Sequence, residues 1–433
     1  MDHLVDLAIR KRISALGRPG RSIADEEPFF VADLGQVARQ HRRWKSALPN
    51  VQPFYAVKCN PDPTLLKLLS ELGTGFDCAS IEELRGVLSL GVDPSRIVFA
   101  NPCKTASSLV FARRVGVMHT TFDNLDELDT IKAYHPDALL VLRIYASDDD
   151  ALISFGEKFG ASMESTGPLL LRARELNLNV TGISFHVGSG AFNASAFVQA
   201  IKNAKAVFRQ AANLGFQMTL LDIGGGFQDS NFERLASSVH EALGEEIPSH
   251  IRVIAEPGRY YACSAYTLAC QVISRRRQIG DPRKTGSDML YQNDGVYGCF
   301  MNVLVEKEIM CPTLITSYAH SQVENVKRQQ GEHRYSIWGP TCDSTDCVVR
   351  DAALESEVKV GDWLKYKNMG AYTTSTTTKF NGFSNDRAVV YIDSESENGA
   401  MKTGIPWYLY IYQQTEMTKV AAPLKQGLYQ ASC

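Results

Sequence analysis

Between residues 53 and 260, short apolar runs alternate with amphipathic stretches, and this alternation limits the fold more than any other feature. Such apolar runs are typical of buried parallel strands. The amphipathic stretches between them are typical of helices with one apolar face. The predicted strands are 54–58, 75–80, 97–101, 120–124, 139–144, 182–188, 220–226 and 251–259, and the clearest predicted helices are 64–72, 80–90, 169–176, 196–214 and 232–243. Eight β/α units favour a closed (β/α)8 barrel of the α/β class over an open doubly wound sheet, which usually carries a G-x-G-x-x-G after its first strand.

Polar residues that can perform chemistry lie at the ends of these predicted strands. They are Lys58, Asp77, His186, Gly224–Gly226, Glu256 and Arg259, on the first, second, sixth, seventh and eighth strands. In such barrels the carboxyl ends of the strands form the mouth of the active site, and phosphate commonly binds after the last two strands. Glycines there let backbone N–H groups approach an anion closely. The positions therefore predict an anion-binding catalytic site at this end of the barrel.

Lys58 ends the apolar segment 53–58 and is followed by a turn. Burial at the end of a strand leaves the amine little access to solvent, and desolvation favours its neutral, nucleophilic form. Glu256 and Arg259 lie on one turn, where they can pair with a pyridine nitrogen and a phosphate, and the glycine-flanked His186 suits packing on a ring. Together these features predict pyridoxal 5'-phosphate held as a Schiff base on Lys58. Taken singly, Lys58 could be a surface lysine, Glu256 a strand cap and His186 a core residue.

After about residue 265 the pattern changes to β-rich runs separated by polar turns. The runs are 288–292, 363–366, 389–392 and 407–412. Alternating and β-branched residues in short runs indicate a second, mostly antiparallel β-domain. We therefore expect a barrel domain over 28–265 and a β-domain made of 1–27 and 266–433.

Composition excludes several classes of protein. With 433 residues and a formal net charge of −3, the chain is long enough for two domains and lacks the basic excess of nucleic-acid-binding proteins. The longest apolar run, 138–146, is too short to cross a membrane, and no signal peptide is predicted. The ten cysteines show no disulfide framework, and the pair Cys342 and Cys347 has no second pair, so we expect no metal site and a cytoplasmic location.

Two glycine-containing turns of the second domain carry reactive side chains. Cys342 and Asp343 follow Gly339-Pro340, and Tyr372 follows Gly370. A buried structural cysteine and a tyrosine packed in a core are the commoner roles of these residue types. Neither turn identifies a site by itself.

Eight motifs in a fixed order connect both domains with one family. They are PFYAVKCN (53–60), GTGFDCAS (73–80), SFHVGSG (184–190), GGGF (224–227), EPGRYY (256–261), NDGVYG (293–298), WGPTCD (338–343) and NMGAYT (368–373). From about residue 28 to residue 383 the chain resembles eukaryotic ornithine decarboxylases, most of all those of fungi. These are fold-type III pyridoxal-phosphate enzymes, with an alanine racemase-like barrel and β-domain.

The resemblance implies a homodimer whose active sites lie between subunits, and a role for each matched residue. Lys58 would carry the cofactor, His186 would stack on its ring, Glu256 would pair with the pyridine nitrogen, and Asp77 would lie close by. The phosphate would be held by Ser189, the amides of Gly224, Gly225 and Gly226, Arg259 and Tyr372. From the partner subunit, Cys342 would protonate Cα and Asp343 would pair with the distal cation of the substrate. The implied catalytic residues are thus Lys58, Cys342, His186 and Glu256.

Departures from the family pattern concern the substrate. Val305, Glu306 and Lys307 stand where the family has Tyr-Asp-His near the distal amine, and Ser154 stands where our alignment expects an arginine beside Asp77. Val305 and Glu306 are therefore substrate-pocket candidates, together with Asp343. Several changes around one pocket favour an amino acid bulkier than L-ornithine, such as an N-substituted diamino acid of a loline-type fungal alkaloid pathway. Neutral drift, with ordinary ornithine decarboxylation for polyamine synthesis, is the alternative.

A different class of function is also consistent with the resemblance. Antizyme-inhibitor-like proteins keep this fold, bind a regulator and lack activity, and an antizyme-like regulator is itself a candidate partner. The chain keeps Lys58, His186, Glu256, Arg259 and Cys342, which favours an active enzyme. An alanine racemase-like activity is disfavoured by the Cys342-Asp343 pair and by the lack of that family's tyrosine signature.

Overall fold

Eight parallel strands close into a barrel in the order in which they follow one another along the chain. The computed structural model describes residues 2–16, 27–146, 158–188, 194–279, 287–316 and 330–396. Its strands are β1 Phe29–Asp33, β2 Val51–Ala56, β3 Gly75–Cys78, β4 Ile97–Phe99, β5 His119–Phe122, β6 Leu139–Arg143, β7 Asn179–Ser184, β8 Leu220–Asp222, β9 Arg252–Ala255, β10 Tyr266–Arg276, β11 Asp288–Gln292, β12 Thr313–Ile315, β13 Gln330–Trp338, β14 Cys347–Ser356, β15 Trp363–Tyr366 and β16 Ala388–Ile392. Its helices are α1 Asp2–Leu16, α2 Leu34–Ala47, α3 Pro63–Glu71, α4 Ile81–Ser89, α5 Ala106–Arg114, α6 Leu125–Tyr134, α7 Met163–Glu175, α8 Ala194–Asn213, α9 Phe232–Glu246, α10 Arg259–Ala262 and α11 Met301–Val305.

Strands β2–β9 form the barrel and confirm the predicted fold class, because each predicted strand overlaps one of them. The first ends earlier than predicted: β2 stops at Ala56, and Lys58 lies in the turn of 3-10 helix that follows it. Side chains from five of the strands pack together in the barrel, namely Phe54, Val98, Val141, Leu220 and Ile254. This packed layer confines polar chemistry to the ends of the strands.

Side-chain caps just beyond the strands determine where several outer helices begin. Asp62 accepts a hydrogen bond from the Thr64 amide at 2.8 Å at the start of α3. The Asn124 side chain, after β5, accepts one from the Glu127 amide at 2.9 Å at the start of α6. Such caps satisfy amides that have no partner within the helix, so they fix the helix start relative to the strand end.

The remaining strands form a second sheet, in the order β12-β15-β10-β11-β13-β14, with β1 paired to β10 and β16. Most pairs are antiparallel, as predicted, and β1–β16 and β11–β13 are parallel. One boundary is corrected: β1, which was placed in the barrel domain, belongs to this sheet because both of its partners do. Otherwise the division into 28–265 against 1–27 and 266–433 stays a prediction, and the run 407–412 lies outside the described residues.

Helix α1 packs on the second sheet. Its Ile9 and Ile13 are buried together with Phe29 of β1 and Trp363 of β15, whose rings are 5.3 Å apart. The chain's first helix therefore covers a face of the sheet far from it in sequence. Among the described residues, no helix has the length and apolar character needed to cross a bilayer.

Candidate active site

Lys58 forms an ion pair with Asp77 of β3 at the carboxyl end of the barrel. The lysine side chain is 41% exposed in a cleft, whereas the Asp77 side chain is 1% exposed. Partial desolvation in the cleft opposes a charge on Lys58, but the carboxylates of Asp77 and Glu256 outweigh it and raise the pKa of Lys58 above its ordinary value. The prediction that desolvation keeps this amine neutral is therefore wrong for the cofactor-free protein, because its neighbours are acidic.

Three carboxyl groups converge beside this lysine: Asp77, Asp222 at the end of β8, and Glu256 just after β9. Burial and the proximity of Asp222 and Asp77 raise the pKa of Glu256 well above its usual range. Burial likewise raises the pKa of Asp222 to about 6. The Oδ1 atom of Asp77 is buried and accepts no hydrogen bond from the described residues. The cluster thus has more acid than its neighbouring cations neutralise.

His186 lies next to the glycine turn that follows β8. The Gly188 amide donates a hydrogen bond to its Nδ1 at 3.0 Å. Burial, together with the charges of Arg143 and Lys58, lowers the pKa of His186 well below its ordinary value. The ring is therefore neutral at pH 7, and because Nδ1 is an acceptor its proton sits on Nε2.

The glycine turn leaves no room for side chains. Gly224 has a φ of +66°, and its amide donates to Asp222 at 2.9 Å. A Cβ on Gly225 would lie 2.8 Å from Nε2 of His186, and one on Gly224 would lie 2.3 Å from the Phe185 carbonyl oxygen. Only glycine brings this backbone so close to the histidine ring, which explains the triplet seen in the sequence.

Arg259, the first residue of α10, is buried and forms an ion pair with Glu306 at 2.7 Å. Its guanidinium carbon lies 5.1 Å from the centre of the Tyr372 ring. Tyr372 has a φ of +54°, which is strained for a tyrosine, and its amide donates to the Cys59 carbonyl at 2.9 Å. This bond attaches the Tyr372 turn of the second sheet to the Lys58 turn of the barrel.

One cavity joins most of the predicted cofactor residues. Its lining consists of Ala56, Lys58, His186, Gly225, Gly226, Phe227, Glu256, Gly258, Arg259 and Tyr372. Asp77 does not line this cavity, but it forms an ion pair with Lys58, which does. Ser189 lies outside the described residues. Within the described part of the chain, no group of His, Cys, Asp and Glu has the arrangement of a metal site.

The expected loss of a cation beside Asp77 needs correction. Ser154 lies outside the described residues, but β6 ends in Arg143, whose charge acts on both Asp222 and His186. A guanidinium therefore accompanies the acid cluster after all. The sequence signal was present, because an arginine at the end of an apolar strand is costly unless it has an anionic partner.

The three departures at 305–307 occupy different environments. Val305, at the end of α11, is 62% exposed and does not line the Lys58 cavity of its own protomer, so its assignment to the substrate pocket stays a prediction. Lys307 is exposed and has a φ of +55°. Glu306 alone points inward, because successive residues at a helix end face different directions. It contacts Arg259.

Cys342 and Asp343 lie on the turn between β13 and β14, and neither lines the Lys58 cavity. Cys342 is exposed, and its amide donates to the Asn381 side chain at 3.0 Å. Asp343 accepts hydrogen bonds from the Tyr297 hydroxyl and from the Thr345 amide, which lower the pKa of Asp343. Within one protomer, the structure thus does not bring these two residues to Lys58.

Asp346 explains glycines in two of the motifs, and sequence reasoning missed it. This buried carboxylate accepts hydrogen bonds from the Val296 amide at 2.8 Å and the Thr341 amide at 3.0 Å. A Cβ on Gly295 or Gly339 would lie 2.1 or 2.3 Å from its Oδ1. Asp346 therefore holds together the turns that carry Tyr297 and Cys342.

The comparisons with known proteins agree with this geometry. The family model described as "Pyridoxal-dependent decarboxylase, pyridoxal binding domain" matches residues 34–263. The ornithine decarboxylase of Neurospora crassa is 46% identical over 418 residues, which cover 91% of this chain and 86% of that protein. The chain belongs to the ornithine decarboxylase family of pyridoxal-dependent amino-acid decarboxylases.

Decarboxylases with other names are similar to this chain over comparable lengths. The amino acid decarboxylase lolD1 of Epichloe uncinata is 40% identical, over 91% of this chain and 95% of that protein. The arginine decarboxylase of Paramecium bursaria Chlorella virus, in a crystal structure bound to agmatine, is 36% identical with a TM-score of 0.81, over 89% of this chain and 100% of that one. The predicted family, enzyme class and cofactor are confirmed.

The residues of this decarboxylase fit pyridoxal phosphate. The acid excess around Glu256 calls for a cation, which a protonated pyridine nitrogen supplies, and the side-chain-free turn at Gly224–Gly226 admits a ligand beside His186. Arg259 provides a buried cation in the same cavity. The cavity thus offers separate partners for the two charged ends of the cofactor.

Proposed function

We propose that this decarboxylase removes the α-carboxylate of L-ornithine or of a larger ornithine-like amino acid, releasing carbon dioxide and an amine. The observation that carries the proposal is the Lys58–Asp77 ion pair, set in one cavity with His186, Glu256 and Arg259. A lysine, a pyridine partner and an anion partner in that arrangement are the groups that the reaction requires.

Lys58 supplies the amine that attaches the cofactor, and Asp77 is in place to accept the proton that Nζ must lose. Glu256 pairs with the pyridine nitrogen, and Asp222 holds the neighbouring glycine turn through the Gly224 amide. The glycine amides, Arg259, Tyr372 and Ser189 bind phosphate. When bound, pyridoxal phosphate supplies the electron sink for the bond to the departing carboxylate.

We place Cys342 and Asp343 in the active site of the partner subunit of a homodimer. Their turn is exposed and does not reach Lys58 of its own protomer, which supports a role across an interface. The thiol of Cys342 donates a proton to Cα after the carboxylate leaves. Asp343, held by Tyr297, pairs with the distal cation of the substrate.

The substrate we favour is a diamino acid whose distal nitrogen is substituted, as in fungal alkaloid biosynthesis. The similarity to lolD1 over 91% of the chain supports this choice, and that to N. crassa ornithine decarboxylase supports ornithine as the second candidate. Of the changed residues that the structure describes, Glu306 alone is buried at the site, so the pocket evidence rests on that longer acid.

We expect the enzyme in the cytoplasm, because every cysteine of the described residues is a free thiol, as in a reducing compartment. Small amino acids are its expected ligands, and an antizyme-like protein is a candidate regulator. An inactive regulatory role is disfavoured by the retention of Lys58, Glu256 and Arg259 in one cavity.

The test of substrate is direct. Purified full-length protein with pyridoxal phosphate is incubated separately with ornithine, lysine, arginine and N-alkylated ornithines, and released carbon dioxide is measured. We expect the highest kcat/KM for an N-substituted ornithine. Preference for ornithine would assign the protein to polyamine synthesis, and release from none of these would contradict the proposal.

A further inference from the structure

The ion pair between Arg259 and Glu306 lies at the predicted phosphate position. The Nη2 and Oε1 atoms are 2.7 Å apart, and the two side chains are only 7% and 5% exposed. The second oxygen, Oε2 of Glu306, is buried and has no hydrogen-bond partner among the described residues. An acid in this position holds the cation that the cofactor's phosphate needs.

The charges at this position disfavour simultaneous contact of Arg259 with both Glu306 and a phosphate. Arg259 carries one positive charge, whereas Glu306 and a phosphate group together would bring about three negative charges around it. Glu308 adds a further acid nearby, whose pKa is raised by burial and by Glu306 although Arg259 opposes the shift. Because buried charges are weakly screened, the Glu306 carboxylate and a phosphate on the same guanidinium repel each other strongly.

The segment that carries Glu306 has room to rearrange. Leu304, Val305, Lys307 and Ile309 are exposed, and Lys307 has a strained left-handed backbone. A second cavity adjoins the ion pair and is lined by Arg259, Glu306 and, among others, Cys263, Lys307 and Asn368. A carboxylate that leaves Arg259 thus has an adjacent space to enter.

We propose that Glu306 is an internal competitor for the cofactor phosphate: it neutralises Arg259 in the cofactor-free protein and lowers the affinity for pyridoxal phosphate. The inference rests on the proposed placement of the phosphate at Arg259. Cofactor binding then releases the Glu306 carboxylate toward the neighbouring cavity, so loading with cofactor and the charge of that cavity are linked.

The test compares two cofactor forms on the full-length chain stripped of cofactor. Pyridoxal phosphate and pyridoxal share the same aldehyde and ring, so the ratio of their dissociation constants isolates the phosphate contribution. We expect Glu306→Gln to tighten binding of pyridoxal phosphate about tenfold and to leave pyridoxal binding unchanged. Inorganic phosphate should also protect the Glu306→Gln variant from thermal unfolding at lower concentration than the wild type.

Three variants control the interpretation. Glu308→Gln makes the same charge change two residues away, where the carboxylate bonds the Asn302 side chain at 2.5 Å, and should alter the ratio little. Glu306→Asp keeps the charge on a shorter arm and should fall between wild type and Glu306→Gln, which keeps the test valid if the glutamine variant folds poorly. Arg259→Met should weaken pyridoxal phosphate but not pyridoxal.

Unchanged or weaker binding of pyridoxal phosphate by Glu306→Gln, with a normal response of Arg259→Met, would overturn the competition and show that Glu306 orients Arg259. If Arg259→Met affects both ligands equally, the phosphate placement itself is wrong. The two failures are therefore distinguishable without any measurement of turnover.

Discussion

The mouth of the barrel and the turn between β13 and β14 are two halves of the proposed active site, and they are built differently. At the mouth, Asp77 and Asp222 are each 1% exposed, and burial raises the pKa of Asp222 to about 6. On the turn, Cys342 is exposed, and hydrogen bonds from Tyr297 and Thr345 lower the pKa of Asp343. One half is a preassembled, electrostatically strained pocket, and the other presents Cys342 and Asp343 on a polar surface.

This difference indicates what each half needs to become functional. The mouth contains an excess of acid, which the binding of a cationic ring relieves, so its missing component is the cofactor. The turn has a firm backbone, anchored by Asp346, but Cys342 and Asp343 do not line the Lys58 cavity of their own protomer. In the proposed dimer, the component that this turn lacks is a second copy of the chain. Variants at the two sites should therefore fail in different ways.

The largest effect is expected at the mouth. Lys58→Ala should lower kcat by at least about a thousandfold, because no other amine in the described cavity can attach the cofactor. Borohydride reduction of the wild type should label the peptide that contains Lys58, as shown by peptide mapping. Lys67→Ala, an exposed lysine on α3, is the control and should retain both label and activity. A label on another lysine would refute the assignment.

A variant of the turn should fail while keeping the cofactor. Cys342→Ala should reduce turnover about a hundredfold, by loss of a general acid, with an unchanged cofactor absorbance. Equal mixtures of refolded Lys58→Ala and Cys342→Ala should regain about a quarter of wild-type activity, since half of the dimers are mixed and each has one intact site. If mixing restores nothing, although mixed dimers are detected, the two halves belong to the same protomer.

The acid cluster gives a pH-dependent prediction for stability. The folded state holds the Asp222 proton up to about pH 6, whereas an unfolded aspartate releases it near its ordinary pKa, so stability falls as pH rises between about 4 and 6. Asp222→Asn removes this loss. The cofactor-free variant should gain at most about 3 kcal/mol over wild type as pH rises through this window.

Denaturant unfolding of both cofactor-free proteins from pH 4 to pH 8 measures this difference. The gain should level off above about pH 7, roughly one unit above the folded-state pKa of about 6, where the wild-type carboxyl is ionised in both states. Asparagine keeps an acceptor for the Gly224 amide, so the glycine turn is preserved. A constant difference across the whole range would mean that Asp222 does not carry the burial penalty.

The sequence was sufficient for the fold because the two domains have different periodicities. Long alternation of apolar runs and amphipathic helices specified the barrel, and all eight predicted strands overlap observed ones. The strand β1 was misassigned because it lies next to the barrel in sequence, whereas its partners β10 and β16 are more than two hundred residues away. Local patterns do not contain that information.

The site was predictable where one residue type at a strand end implies one chemistry, as for Lys58 and Glu256. It was not predictable where the protonation state or the partner of a residue depends on several charges together. The protonation of Lys58 depends on Asp77 and Glu256 together, and the role of Arg143 appears only once β6 stands beside β7. The contact between Glu306 and Arg259 was likewise not predicted. Such pairings depend on side-chain direction, which a motif does not encode.

The smallest effect is expected for Tyr297, which holds Asp343 from the side. Its ring stacks on Phe380 with centroids 4.4 Å apart, and its hydroxyl donates to Asp343. Tyr297→Phe keeps the stacking but removes the hydrogen bond, so Asp343 loses its orientation toward the distal cation. We expect KM to rise about three- to tenfold with kcat nearly unchanged.

Steady-state kinetics with the preferred substrate and with a homologue lacking the distal nitrogen decide the matter. The Tyr297→Phe effect should vanish for the homologue, since it offers no cation to Asp343. Thr345→Ser is the matched control, because it retains both the hydroxyl that contacts Tyr297 and the amide that donates to Asp343 at 2.9 Å. An equal rise in KM for both substrates would mean that Tyr297 only supports the turn. It would also mean that Asp343 does not recognise the distal cation of the substrate.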